Sequence, residues 1–227
     1  MNRIVALVIV GGVLCISSVY ANNTTANWGA QISNGVGDAS GNPLPNGSND
    51  LILLGSFDIN NATIAANGSN ESFLLSNFTT FASAVMGQGD PNGSGSASDG
   101  YWTAVSTNSA STLGIQTKEI YYWVFNAPTA GAATQYGIFT APSNSSWFFP
   151  DDTTTAQSNT TDLSQVPQDS SGILWGSFGN GLSRNGESPL YNLAAIPEPS
   201  TLALIALGLA GLPIAVLRRN RSFLKQP

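Results

Sequence analysis

The chain has 227 residues, only 9% of them charged, with 24 glycines, a single cysteine, no histidine and a formal net charge of −6. Without histidine there is no Ser-His-Asp triad, no Cys-His pair and none of the common zinc sites, whose ligands are mainly His and Cys. Between Asn22 and Ile196 twelve acidic residues stand against Lys118 and Arg184 alone, a net charge of −10 that disfavours nucleic acid and anionic lipid as partners.

At the start of the chain Arg3 precedes the apolar run Ile4 to Ile16, and Val19-Tyr20-Ala21 places a small residue where a signal peptidase cuts. The pattern predicts a secretory signal peptide over 1–21, cleaved after Ala21, and the apolar run is too short for a spanning anchor. Cys15 lies inside it. Leu14 occupies the place where a lipoprotein signal carries a small residue, so Cys15 is expected to leave with the signal.

Residues 22–195 form one domain's worth of chain, long enough to bury a core. An exported domain without cysteine has no disulfides and depends on packing and backbone hydrogen bonds. Ser, Thr, Asn and Gly dominate its polar positions, and these favour turns and strands over helix interiors. Strands are predicted over Trp28 to Ile32, Leu51 to Asp58, Tyr101 to Ser106, Glu119 to Asn126, Thr134 to Thr140, Ser146 to Phe149 and Gly172 to Phe178. In Ile120-Tyr121-Tyr122-Trp123-Val124-Phe125 both alternating faces are apolar, as in a central strand covered on each side. Leu74, Phe78, Phe81 and Val85 recur at helical spacing and predict one helix over about Glu71 to Met86. The expected fold is mainly β, a sandwich or jelly-roll-like domain with one short helix.

Few residues in this domain suggest chemistry. Paired carboxylates are what remains for catalysis, as in glycosidases, and Asp151-Asp152, Asp38, Asp50, Asp58 and Glu119 supply them without a distinguishing spacing. Asp90-Pro91-Asn92-Gly93-Ser94-Gly95 begins like a calcium loop, but Tyr101 stands where the bidentate Glu belongs, so a turn is the better reading and no metal is expected. Asn-x-Ser/Thr recurs at Asn22, Asn23, Asn46, Asn61, Asn67, Asn70, Asn77, Asn92, Asn144 and Asn159; turn formation competes with glycosylation as its explanation. The tryptophans Trp28, Trp102, Trp123, Trp147 and Trp175 are read first as core; Trp123 is expected there most firmly, while Trp147, beside Phe148, Phe149 and Pro150, is the one weighed against that for an exposed sugar-stacking face. No cofactor is expected, and the domain is expected to be non-enzymatic.

The C-terminal segment is an address label. Ile196-Pro197-Glu198-Pro199-Ser200 is followed by the uncharged run Thr201 to Leu217 and then Arg218-Arg219-Asn220-Arg221. Seventeen helical residues reach about 26 Å, near the lower limit for a bilayer core, and the arginines hold their end on the cytoplasmic side. The two prolines keep the strip before the span extended and accessible. This order of parts resembles the PEP-CTERM sorting signal over about 196–221: Pro197, Glu198 and Pro199 match its motif, and Arg218, Arg219 and Arg221 its basic end, leaving 222–227 as a cytoplasmic tail. A GPI signal is the competitor, but it normally ends without a basic cluster.

The resemblance implies a bacterial exported protein, handled by signal peptidase, held by a C-terminal transmembrane sorting helix in the inner membrane and processed there by exosortase. It also implies a destination in the cell envelope or the exopolysaccharide matrix, with exopolysaccharide as a candidate partner. Gly41-Asn42-Pro43-Leu44-Pro45, Leu53-Leu54-Gly55-Ser56-Phe57, Tyr122-Trp123-Val124-Phe125-Asn126 and Ser146-Trp147-Phe148-Phe149-Pro150 further resemble the ectodomain of small PEP-CTERM proteins of unknown function. The expected role is structural or adhesive. The alternatives are a carbohydrate-binding module for matrix polysaccharide and a carboxylate-dependent glycosidase.

Overall fold

The computed structural model describes residues 22–30, 34–89, 99–182 and 189–197, which are mainly β, with three sheets and two short α-helices. The central sheet runs β12 (Ala194–Ala195), β7 (Gln135–Phe139), β6 (Tyr121–Phe125), β3 (Leu51–Phe57), β4 (Phe78–Val85), antiparallel throughout. β9 (Ile173–Trp175) shares the outer edge of β7 with β12. In a second sheet β1 (Thr24–Ala30) lies between antiparallel β5 (Trp102–Asn108) and parallel β8 (Gln157–Asp162). In the third, β11 (Pro189–Asn192) lies between antiparallel β10 (Ser177–Leu182) and parallel β2 (Val36–Gly37).

The two apolar faces of β6 are buried in two different cores. Ile120, Tyr122 and Val124 join the larger cluster, to which β1, β2, β5 and β11 also contribute; Tyr121, Trp123 and Phe125 join the smaller. Tyr122 packs against Trp28, Trp102 and Trp147, with ring centroids 5.7, 5.6 and 4.7 Å away. Its hydroxyl is 2.7 Å from Thr161 Oγ1 and accepts from the Gly29 amide at 3.2 Å, so one side chain ties β6 to both β1 and β8. A polar tip that finds partners is what allows a tyrosine to be buried at the centre of a core.

The smaller cluster is closed by two six-residue helices, α1 (Asn61–Ala66) and α2 (Glu71–Ser76), which bury Ile64 and Leu74. Helices this short do not persist by propensity, and their ends are fixed by asparagines. Asn60 accepts from the Thr63 amide and Asn70 from the Phe73 amide, while Asn67 and Asn77 stand at the C-caps. Asn144 likewise caps a 3-10 turn at Ser145–Trp147. Capping thus accounts for the asparagine of four of the Asn-x-Ser/Thr sites.

The predicted helix over 71–86 is a correction: it ends at Ser76, and 78–85 is strand β4. Leu54 pairs with Ala82 and Gly55 with Thr80, so Phe81 is the extra residue of a β-bulge. Residues three apart on a strand face opposite sides, so Phe78 joins the smaller core and Phe81 the larger, and with both faces covered that interval imitates a helical repeat; the bulge brings Ala82 to the larger side as well. Gly55 is required opposite it, because a Cβ there would come 2.2 Å from the Thr79 carbonyl oxygen.

Three strands also differ from expectation. The first begins at Thr24, earlier than expected, and Gln31 and Ile32 of its expected end lie outside the described residues. Ser146 to Phe149 is no strand but the 3-10 turn and its exit, and Trp147 is fully buried there, donating its Nε1 hydrogen to Gln165 Oε1 at 2.8 Å. The segment from Gly172 is divided at Gly176, whose φ of +127° breaks it into β9 and β10. The signal peptide with Ala21, the calcium-like loop Asp90 to Gly95, Glu198, Pro199, the apolar run 201–217 and Arg218, Arg219 and Arg221 lie outside the described residues. Among the described residues no helix is long and apolar enough to cross a membrane.

Candidate functional site

The chain leaves the domain beside the smaller core. From β11 it passes through Leu193, which is buried and donates its amide to the Gly37 carbonyl at 2.9 Å. β12 then pairs with β7, Ala194 opposite Tyr136 and Ala195 opposite Gln135, and the Ile196 amide donates to the Thr134 carbonyl at 2.9 Å. Ile196 is half-buried against the smaller cluster, and Pro197 is exposed. Asn126 holds the receiving strand in place: its Oδ1 accepts from the amides of Thr134 and Gln135, and its Nδ2 donates to Thr134 Oγ1.

Ile196 and Pro197 form one wall of an open groove of about 630 Å³; Ser69, Glu71, Ala132 and Thr134 line the others. The α2 end and the segment 131–134 are more than fifty residues apart in sequence, so the groove is a product of folding. Burial pushes the Glu71 carboxyl up from its ordinary value. Burial, then the Glu71 charge, pushes the nearby Tyr136 hydroxyl up. Tyr136 donates to the Gly68 carbonyl, which pins the α1–α2 connection to β7 beside this exit.

Residues 195–220 match the model of the PEP-CTERM protein-sorting motif. The chain carries that sorting motif. Its match opens on Ala195, the final residue of β12 and of the last strand among the described residues, so the motif begins within the folded domain. The PEP-CTERM motif implies processing by exosortase and export to the bacterial cell envelope. No curated protein and no solved structure matches the chain.

The carboxylates singled out in the sequence are dispersed and engaged in hydrogen bonds. Asp152 is buried and accepts from Thr24 Oγ1 at 3.1 Å and from the amides of Ala110 and Ser111 at 2.8 and 2.9 Å. Burial works to raise its carboxyl, but the hydrogen bonds from Ser111, Ala110 and Thr24 outweigh that and hold it below the ordinary value. Asp151 is exposed and held low by its hydrogen bonds with Thr153. Asp38 closes its own turn, accepting from Ser40 and Asn42; burial opposes these bonds, which still leave its carboxyl lowered. Asp50 is pushed up by burial, and Asp58 pairs with Lys118 at 2.6 Å.

Glu119 is the most elaborated of them. Thr140 Oγ1 donates to it at 2.6 Å, the Tyr121 hydroxyl lies 3.1 Å away, and Asn61 Nδ2 is 3.3 Å from each oxygen. The Tyr121 hydroxyl is pushed up by burial first and then by the Glu119 charge, and it donates to Asn61 Oδ1 at 2.6 Å. The cluster locks α1 to β6 and the end of β7. Among the described residues no group of three or more Asp or Glu side chains is gathered as metal ligands are.

Trp147, weighed as an exposed sugar platform against a place in the core, is core, as are Trp28, Trp102 and Trp123, and Trp175 is half-buried. A polar surface that the sequence pattern did not single out lies on the β5–β1–β8 sheet. Register places Thr25 between Thr107 and Ser158, and Asn27 between Val105 and Thr160. Val105 is 69% exposed, and Thr25 and Thr107 hydrogen-bond through their hydroxyls at 3.2 Å. Strand spacing of about 4.8 Å sets these hydroxyl and amide groups in a regular, uncharged array.

Proposed function

We propose that the chain is an exported, non-enzymatic protein with a structural or adhesive role in a bacterial envelope or exopolysaccharide matrix. A signal peptide ending at Ala21 delivers it. Thr201–Leu217 holds it in the inner membrane with Arg218, Arg219 and Arg221 on the cytoplasmic side, and exosortase cuts near Pro197-Glu198-Pro199. A compact, sandwich-like β domain over 22–195 is the part that is delivered. The observation that carries this reading is the sorting motif beginning at the last residue of the last strand. The dispersal of Asp152, Glu119 and Asp38, each tied into local hydrogen bonds, supports a non-enzymatic domain, since a glycosidase needs two carboxyl groups roughly 5–10 Å apart across a cleft.

Fractionation and intact mass of the mature protein in its native host test the reading, with Glu198→Ala and a deletion of 201–227 alongside. The wild type is expected to lack its tail, and Glu198→Ala to keep it and stay in the inner membrane. A wild type that keeps the tail makes the segment an ordinary anchor and overturns the sorting reading.

The array on β5, β1 and β8 favours a second reading, a carbohydrate-binding surface for neutral matrix polysaccharide built from hydroxyls and amides. Retention of the domain on the host's purified polysaccharide is the measurement. Asn27→Ala with Thr160→Ala is expected to abolish it, and unchanged retention removes this face from consideration.

A further inference from the structure

The sorting motif and the fold overlap, and the overlap has a mechanical consequence. We propose that β12 is a releasable strap: docked on β7 it ties the chain immediately before the motif to the domain, and exosortase acts on the motif after residues 194–196 have detached. This rests on the sorting reading above and adds a conformational step to it.

Three observations point to the strap. β12 is a two-residue edge strand, and its hold on the domain consists of the pairing with β7, the Ile196 amide bond to Thr134 and the half-burial of Ile196. Its side chains bury little, because Ala194 is half-exposed and Ala195 exposed. Immediately before it the hold becomes firm: Tyr191, Asn192 and Leu193 are all buried, and the Tyr191 and Leu193 amides are bonded to Gly35 and Gly37. Local opening follows such contrasts in burial, so the strap detaches as far as Leu193 and no further.

Docking also occupies what a processing enzyme needs. Enzymes and receptors that take an extended peptide commonly pair with its backbone edge, and in β12 that edge is already paired with β7. The groove walls at Ser69, Glu71 and Thr134 stand on the side where Ile196 docks. Detaching residues 194–196 frees their backbone and adds about 10 Å of extended chain between the domain and the motif. Ile196 precedes a proline, so the freed strip keeps the extended conformation an enzyme reads.

A disulfide lock tests this. Ala195 and Gln135 are neighbours across the ladder, and the Ile196–Thr134 bond next to them makes theirs a non-hydrogen-bonded pair, with Cα atoms close enough for a disulfide. The full chain carrying Ala195→Cys and Gln135→Cys is presented to membranes of the native host, oxidised and reduced, beside the wild type, and loss of the tail is followed by mass. The oxidised form is expected to be processed about tenfold or more slowly than the reduced form. Inserting Gly-Ser-Gly-Ser between Ile196 and Pro197 is expected to restore the locked protein, because it supplies the missing slack.

Equal rates in the two redox states overturn the strap, as does a locked protein that the insertion fails to rescue. Slow processing in both states also counts against it, since the loss then traces to the substitutions and not to the lock. A wild type that keeps its tail in the same membranes sinks the sorting reading together with the strap. A processed wild type beside an unimpeded lock sinks the strap alone.

Discussion

The two faces of β6 are covered in different ways. On one, a three-stranded sheet and the β10–β11–β2 sheet close a core around Trp28, Trp102, Tyr122 and Trp147, and the hydroxyl of Tyr122 is bonded on both sides. On the other, two six-residue helices close a smaller cluster around Trp123, Phe125 and Tyr136. The sorting motif leaves from the second, smaller side. A short edge strand over a small core is where local opening is easiest, and the strong core opposite keeps the rest of the domain intact while it happens.

This contrast is open to direct attack. The largest effect is expected from Trp28→Ala, which empties the centre of the larger core and lowers unfolding free energy by about 3–5 kcal/mol, read from urea midpoints. Tyr122→Phe leaves the Gly29 amide and the Thr161 hydroxyl without their shared partner, and a loss of about 1–3 kcal/mol is expected in the same titration. On the helical side Asn70→Ala removes the N-cap of α2 and is expected to cost about 1 kcal/mol. Its signature is local: amide exchange rises in α2 and at Ile196, while β1 and β6 amides keep their protection. If Asn70→Ala instead lowers the protection of the larger core equally, the two sides are one cooperative unit and the contrast fails.

Acid acts on the larger side. The Asp152 carboxyl is held below the ordinary value of 3.8 in the fold, so its contribution is complete above that value and is lost as pH falls through the lower folded one. Asp152→Asn is expected to lower stability at pH 7 and to flatten the decline between pH 5 and pH 2, measured as urea midpoints across that range. A decline as steep as in the wild type would assign acid sensitivity to other carboxylates.

Much of the central sheet was legible in the sequence because apolar alternation reports burial directly: β3, β6 and β7 stand where their patterns put them. The pattern misled where burial does not follow one face. β4 buries Phe78 on one side and Phe81 on the other, which made a strand look like a helix, and the polar Gln157–Asp162 showed no signal because Thr161 and half-covered neighbours are all that β8 turns inward. The sequence left open whether Trp147, beside a proline, was covered; a 3-10 turn capped by Asn144 rolls it onto Tyr122. In the candidate site the sorting motif was plain, whereas the groove next to it joins α2, the 131–134 segment and Ile196, whose nearness no local pattern records.

By itself, then, the sequence determined the address of this protein and the identity of its central strand. Sorting signals are read as linear chain, and a strand apolar on both faces has one low-energy place to go. The tertiary structure decided how the halves of the core are closed, which tryptophans are hidden, and that the motif starts where the last strand ends. Those are outcomes of long-range pairing, such as parallel β1 with β8 and antiparallel β12 with β7, whose partners lie far apart in the chain and share no local signature.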